Sequence, residues 1–223
     1  MSSDERRRAI LDCAARLFRH QGHSKTTVAD IAREAEVGVG TVYLVFPSKE
    51  AIVEELSTSA HDRVLRAMRL VADERAHEPF AERLTGVLEM RVAMFQKLAE
   101  EGQHACELVH CSKSGPVKSV HARFREEEAG ILRDVLVRAR DAGELAPCDV
   151  DRVVALVQRA YATLSPPWLY EQPHDEVRRA AYEMCRLLLQ GLCARGQAPP
   201  ARATTARAAE ETKPARRSAR RAR

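Results

Sequence analysis

The chain has few aromatic residues and few chain breakers. Phe, Trp and Tyr make up 4% of its 223 residues, and there are ten glycines and ten prolines. Sheet-rich folds favour aromatic and β-branched residues and need many turns, so this composition argues against them. Six cysteines in a chain of this length do not fit a small disulfide scaffold. With 45% apolar and 30% charged residues, rich in Ala, Leu, Arg and Glu, the composition predicts an all-α globular fold.

Long apolar runs are missing as well. The apolar runs are short, residues 187–189 for example, and stay far below the roughly 18 residues that cross a bilayer. The charged N-terminus is followed by no apolar stretch of signal-peptide length. We therefore expect a cytoplasmic protein without membrane contact, in which the cysteines are reduced thiols.

No enzyme signature stands out in the sequence. It has no glycine-rich phosphate loop after a strand, no Gly-x-Ser-x-Gly elbow and no pair of carboxylates distinct from solvated acidic faces. We expect the acidic run at residues 126–128 to be one such exposed stretch. The sequence predicts a protein that is not an enzyme, with no catalytic residue and no cofactor.

The excess of positive charge lies in one segment. The net charge is +4, but residues 195–223 contain nine basic and two acidic side chains, so the rest of the chain is slightly acidic. This segment has little to bury, and we expect a disordered basic tail. It would either add sequence-independent phosphate contacts or be a solvated extension without function. Net charge is therefore no argument that the folded part binds nucleic acid.

Local signals mark the helices near the N-terminus. Ser2 and Thr27 are each followed three residues later by an acidic side chain, which is typical of a capping box. Gly22 suits a helix end, and Ser48 is a third N-cap, before a long helix over residues 49–74. Further helices follow, and the last two are expected over residues 148–165 and 175–192.

Residues 27–46 have the layout of a helix-turn-helix. Two short helices are joined by a tight turn at residues 36–37, and the second is too short to be stable without its neighbours. In this motif the second helix enters the major groove of double-stranded DNA. A small core is expected from Leu17, Phe18, Val28, Ile31, Val37, Val42 and Phe46. The residues expected to contact DNA are Thr26, Thr27, Gly38, Val39, Gly40, Thr41, Tyr43, Leu44 and Lys49.

Each of these residue types suits a DNA contact. The two glycines let the backbone approach a phosphate or a base edge, and a helix N-terminus favours a phosphate. Thr41 and Tyr43 carry hydroxyl groups, and Lys49 places a cation where a flanking phosphate would lie.

Over roughly its first 55 residues the chain resembles the TetR/AcrR transcriptional regulators. The resemblance is carried by residues 8–18, Gly22, and residues 26–35 and 37–51. It implies an all-α homodimer with an N-terminal DNA-binding domain (residues 1–49) and a helical regulatory domain (residues 50–194). It also implies dimerisation through the last two helices, and a repressor that a small-molecule inducer releases from its operator.

The sequence departs from the family pattern at one residue and at one pair of residues. The family usually has glycine where this chain has Glu36, and a side chain at positive φ costs about 1 kcal/mol, so a slightly altered turn is expected. The pair after Tyr43 is often polar or aromatic in the family and is Leu44-Val45 here. Fewer hydrogen bonds to DNA are then available, and contacts with thymine methyl groups or through the backbone must contribute more.

The later helices contain apolar residues that could line a ligand cavity, with ordinary core packing as the alternative. The candidates for contact with an apolar inducer are Met90, Met94, Phe95, Leu98, Leu108, His121, Phe124, Tyr161 and Trp168. A second cluster comprises His104, Cys106, His110 and Cys111, which would suit a metal or thiol sensor, or only buried cysteines and surface histidines. We assign no metal site to it. A nucleoid-binding protein driven by the basic tail is the remaining alternative.

Overall fold

The computed structural model describes residues 2–102, 104–109 and 115–192, and every regular element in these ranges is a helix. The basic tail lies outside the described residues. The all-α prediction is confirmed. The α-helices are α1 (Ser3–Gln21), α2 (Val28–Glu34), α3 (Val39–Val45), α4 (Lys49–Glu74), α5 (Phe80–Glu100), α6 (Cys106–Val109), α7 (Gly115–Asp141), α8 (Val150–Ala160) and α9 (His174–Leu192).

The capping signals place the helix starts correctly. The Ser2 hydroxyl accepts a hydrogen bond from the Glu5 amide at 3.2 Å, and the Glu5 carboxylate accepts one from the Ser2 amide at 2.7 Å. Thr27 and Asp30 form the same reciprocal pair at the start of α2. The Ser48 hydroxyl accepts from the Ala51 amide at 3.2 Å, so α4 begins at the predicted residue. These side chains satisfy amide groups that the first helical turn leaves unpaired.

The predicted helix over residues 148–165 is shorter than expected. It ends at Ala160, and the chain continues as 3-10 turns at Tyr161–Leu164 and Trp168–Glu171. The Pro166-Pro167 pair prevents an α-helix from continuing through Ser165, because proline has no amide hydrogen and disfavours the helical conformation in the residue before it.

Two apolar cores divide the molecule. The first joins α1, α2 and α3 to the start of α4 and includes Phe18, Ile31, Val42 and Phe46, as predicted. We call α1–α3 the head. The second core fills the space between α4, α5, α7, α8 and α9, and we call α4–α9 the body. Ile52 and Val53 belong to the first core, so the first turns of α4 pack with the head.

The body also buries polar groups. Arg91 of α5 forms an ion pair with Glu128 of α7, and its guanidinium donates to the Ser165 hydroxyl at 2.7 Å. Gln158 donates to the second carboxylate oxygen of Glu128 at 2.9 Å. The expectation that residues 126–128 are all exposed is therefore wrong for Glu128, whose buried carboxylate exchanges contacts with water for contacts with Arg91 and Gln158.

A buried histidine lies nearby in α4. The ring of His61 packs against Phe124, with 4.9 Å between the ring centres, and against Phe95 and His121. Its Nδ1 lies 2.9 Å from the Ser57 carbonyl oxygen. Burial lowers the pKa of His61 from its usual 6.5 to about 4, so the ring is neutral at pH 7.

Within the described ranges, no helix combines the length and apolar character needed to cross a membrane.

Candidate nucleic-acid interface

The turn between α2 and α3 is built by two backbone hydrogen bonds. The Glu36 amide donates to the Arg33 carbonyl at 3.2 Å, and the Val37 amide donates to the Ala32 carbonyl at 2.9 Å. This pair of bonds is a Schellman motif, in which the residue after the C-cap has positive φ. Glu36 occupies that position with φ of 54°. Glu36 thus adopts the left-handed conformation that glycine usually adopts at this position of a Schellman motif.

Helix α3 buries one face and exposes the other. Val42 and the following Phe46 are buried in the head core. On the opposite face Leu44 is 89% exposed and Tyr43 51% exposed, with Val39 beside them. Gly38 and Gly40 are also exposed, and no atom lies within 4 Å of a methyl group built on Gly40. Helix α3 thus presents apolar and aromatic surface that no described part of the chain covers.

Residues of α1 and α4 hold α3 in place. The Arg7 guanidinium lies 4.4 Å from the centre of the Phe46 ring and 3.4 Å from the Val45 carbonyl oxygen. It also pairs with the Glu55 carboxylate in α4. Sequence reasoning missed Arg7 because its partners lie 38 and 48 residues away and no local pattern signals them.

The predicted DNA-contacting residues fall into two groups. Seven of them lie on the outer surface of α2 and α3 or at their starts: Thr27, Gly38, Val39, Gly40, Thr41, Tyr43 and Leu44. Thr41 is half-buried, and the others are exposed.

Thr26 and Lys49 form the second group, and they serve the loop between α1 and α2. Thr26 is fully buried and its hydroxyl donates to the Gly22 carbonyl at 2.9 Å, so a DNA contact through this side chain is ruled out. The Lys49 ammonium donates to the carbonyl oxygens of His23 and Thr26, at 2.8 and 3.0 Å. In the absence of DNA, Lys49 therefore binds carbonyl groups of the loop. The sequence motif was identified correctly, but burial of the loop depends on tertiary contacts that spacing does not reveal.

The exposed cations nearest α2 in sequence are two that the sequence analysis did not select. Lys25 precedes the N-cap of α2 and is exposed. Arg33 lies in the last turn of α2, 79% exposed, and pairs with Asp30 at 2.7 Å. In the sequence, only their position beside the helix-turn-helix motif could have indicated these two residues.

The predicted ligand-pocket residues lie in several parts of the structure. Phe95, His121 and Phe124 pack against His61, and the Tyr161 hydroxyl donates to the Ala181 carbonyl at 2.8 Å. Trp168 is half-exposed on a 3-10 turn. Met90 and Met94 pack at the edge of the body core. Leu98 and Leu108 line a cavity of about 420 Å³ at the boundary between head and body. Of the nine residues, only Leu98 and Leu108 line this cavity.

The histidine and cysteine cluster is described only in part. His110 and Cys111 lie outside the described residues. His104 Nδ1 lies 2.8 Å from the Glu107 carboxylate, and burial together with Glu107 raises the pKa of the Cys106 thiol. A raised pKa makes a thiol less reactive. Among the residues of the described ranges, no three His, Cys, Asp or Glu side chains are grouped to hold a metal ion.

Comparison with known proteins identifies the motif. Residues 10–56 match the family model of bacterial regulatory proteins, tetR family. The HTH-type transcriptional repressor KstR2 of Mycobacterium tuberculosis is 30% identical over 162 residues, which cover 70% of this chain and 77% of the relative. The HTH-type transcriptional regulator YhgD of Bacillus subtilis is 27% identical over 207 residues, 86% of this chain and 99% of the relative.

Solved structures share the fold. A TetR/AcrR-family transcriptional regulator from Thermobifida fusca superposes with a TM-score of 0.65 at 23% identity, covering 84% of this chain and 98% of its own. The fatty acid degradation regulator FadR from Bacillus halodurans gives a TM-score of 0.63 at 21% identity, covering 83% and 95%. These relatives are regulators of transcription, in line with a non-enzymatic role. The chain belongs to the TetR family of bacterial helix-turn-helix transcriptional regulators.

Proposed function

We propose that this regulator is a homodimeric repressor that binds a specific operator through α3 and is released by a small apolar ligand. The observation that carries the proposal is the outer face of α3, where Val39, Tyr43 and Leu44 are exposed on a helix of a DNA-binding motif. An exposed apolar patch of this kind is unfavourable in water, and contact with the major groove would cover it.

The chemistry of this face favours apolar readout. Leu44 and Val39 offer methyl groups that match the C5-methyl group of thymine, while Tyr43 and Thr41 offer hydroxyl groups for phosphates or base edges. Gly38 and Gly40 leave room for a close backbone approach, and Thr27 lies at the start of α2. Thr26 and Lys49 act indirectly, by holding the loop that precedes α2.

A second copy of the chain is part of the proposal. Helices α8 and α9 keep large apolar side chains exposed, among them Leu156, Tyr182 and Leu187. Pairing of these helices with their copies would cover this surface and present two α3 helices to two half-sites.

Release by a ligand is the part of the proposal that is supported by precedent in the same fold. A solved structure of the same fold is a complex of SmeT with triclosan. A ligand in the body would release the operator by changing the separation of the two heads.

A fluorescence-anisotropy titration tests the DNA-binding part. The probe is the DNA upstream of the protein's own gene, with scrambled DNA of equal length as competitor. We expect Tyr43→Ala and Leu44→Ala to weaken specific binding about tenfold, because each removes a contact to the groove. Leu70→Ala, which removes an exposed leucine from α4, should bind as the wild type does.

A separate titration tests the contribution of the basic tail. A truncation to residues 1–195 should keep sequence preference and lose only part of the salt dependence. Binding that ignores sequence and disappears with the tail would instead support a nucleoid-binding protein and contradict the repressor proposal.

A further inference from the structure

The boundary between head and body contains a cavity of about 420 Å³. Its walls come from α1, α4, the end of α5 and α6, and its apolar side includes Leu56, Leu98 and Leu108. The volume falls within the range of cavities that hold small organic molecules. We call this space the boundary cavity.

The charged wall of the boundary cavity has more cations than anions. Arg16, Arg19 and Arg63 line it together with Asp12 and Glu101. Arg16 is paired with Glu34, which lies outside the cavity, at 3.2 Å. Arg19 and Arg63 share the carboxylate of Glu101.

Glu101 serves two guanidinium groups at once. Arg63 donates to both of its carboxylate oxygens, at 2.7 and 3.2 Å, and Arg19 pairs with it at 2.8 Å. The Nε–H of Arg19 is buried and makes no hydrogen bond within the described ranges. A buried donor without an acceptor is costly, so a carboxylate oxygen that reaches this group when the Arg19 side chain turns towards the cavity would gain a hydrogen bond.

We propose that the boundary cavity binds a small acidic amphiphile, whose carboxylate competes with Glu101 for Arg19 and Arg63 while its apolar body lies against Leu56, Leu98 and Leu108. The donor arrangement favours a carboxylate, because a guanidinium group matches its two oxygens. A neutral apolar molecule would leave the Arg19 donor unsatisfied. The inference rests on the proposed function in taking this ligand as the effector of the repressor.

The position of the cavity connects ligand binding to the head. Arg19 belongs to α1, whereas Glu101 follows α5 of the body, so their ion pair crosses the boundary. Next to it, the His104 amide donates to the Arg19 carbonyl at 3.0 Å. A carboxylate that takes the place of Glu101 at Arg19 removes one of these links and loosens the head from the body.

Isothermal titration calorimetry of the full chain without DNA tests the site. The probe is sodium decanoate, and 1-decanol is the neutral molecule of equal chain length. We expect decanoate to bind with one molecule per chain and decanol to bind about tenfold more weakly or not at all, because it lacks the charge-assisted hydrogen bonds.

Three variants locate the binding. Arg63→Met should weaken decanoate binding about tenfold, and Glu101→Gln should strengthen it by a similar factor because the internal competitor loses its charge. Arg69→Met is the matched control, since Arg69 is also an α4 arginine with a carboxylate partner but does not line the boundary cavity. Circular dichroism checks that each variant is helical. If Arg63→Met does not fold, the near-isosteric Glu101→Gln variant tests the inference alone. Stronger decanoate binding by this variant supports the site, and unchanged or weaker binding contradicts it.

Absence of decanoate binding, or binding that Arg63→Met and Glu101→Gln leave unchanged, would overturn the inference. Such a result does not affect the proposed function, which the operator titration with Tyr43→Ala tests separately, because no DNA is present in the calorimeter. Conversely, decanoate binding in a chain without operator preference would contradict the proposed function and retain the site.

Discussion

The main chain at Glu36 adopts a left-handed conformation that costs a residue with a side chain about 1–2 kcal/mol. The same Schellman motif ends α7, where the corresponding residue is Gly143 with φ of 72°. The molecule thus contains the strained and the relaxed version of one turn. The comparison separates the conformational cost from other effects, because a methyl group on Gly143 would meet no atom within 4 Å.

We expect Glu36→Gly to raise the free energy of unfolding by roughly 0.5–1 kcal/mol, after the greater freedom of glycine in the unfolded chain is subtracted. The reverse change, Gly143→Ala, should lower it by about 1 kcal/mol. Urea denaturation followed by circular dichroism measures both. A Glu36→Gly variant no more stable than the wild type would show that the left-handed conformation is not the cost inferred here.

His61 makes stability depend on pH in the direction of its lowered pKa. The unfolded chain takes up a proton near pH 6.5, whereas the folded chain resists protonation down to about pH 4. Stability from the neutral ring is therefore fully present above pH 6.5 and is lost as the pH falls towards 4. Between pH 7 and pH 5 this loss is about 2 kcal/mol.

His61→Phe should remove that contribution, so its unfolding free energy falls by about 2 kcal/mol less than that of the wild type between pH 7 and pH 5. Each protein is compared with itself at the two pH values, which cancels any change in packing against Phe95 and Phe124. Equal pH dependence in the two proteins would mean that His61 is protonated in the folded state.

At the scale of elements, a buried ion pair ties α5 to α7. Arg91 and Glu128 are exposed by only 6% and 4%, and the Arg91 guanidinium also lies 5.1 Å from the centre of the Phe95 ring. Removing one partner of such a pair leaves an uncompensated charge inside the body, which is more costly than the pair's net stabilisation.

We expect Glu128→Ala to destabilise the fold by about 3–5 kcal/mol and Glu127→Ala, one residue earlier, by less than about 1 kcal/mol. Glu127 also pairs with arginines but is 34% exposed, so water replaces its contacts. Thermal or urea unfolding measures the difference. Similar losses in both variants would contradict a special role for the buried carboxylate.

The helices were predictable to the extent that their signals are local. Caps at Ser2, Thr27 and Ser48 depend on residues three positions away, and the turn at Glu36 depends on the few residues around it. The burial of Glu128 depends on Arg91, which is 37 residues away. Helical spacing places Glu128 on the same face as Phe124 and Ile131, but nothing in the sequence names Arg91 as its partner, so the ion pair in the body could not be foreseen.

At the scale of the whole molecule, the exposed apolar side chains of α8 and α9 predict a dimer. Leu187 is 66% exposed, and Leu70 on α4, outside the proposed interface, is 59% exposed. Glutamate at position 187 would place a charge in the interface, which is costly without a partner. Leu187→Glu should therefore shift the sedimenting species from a dimer towards the 24.9 kDa monomer.

Leu70→Glu is the control for this experiment and should sediment as the wild type does. Sedimentation velocity at micromolar protein distinguishes the two species. A wild-type chain that is already monomeric, or a Leu187→Glu variant that stays dimeric, would contradict pairing through α8 and α9.

The Lys49 ammonium, at the start of α4, donates to the loop carbonyls of His23 and Thr26. Helix α4 is therefore attached to the head as well as to the body, and a movement of α4 moves the head. Its 26 residues at 1.5 Å each span about 39 Å, with the head attached at one end and the body core at the other. A rotation of about five degrees at the body end moves the head by about 3 Å, close to the rise of one base pair. In the proposed dimer, an effector would therefore need to tilt α4 only slightly to move the two α3 helices out of step with their half-sites on the DNA.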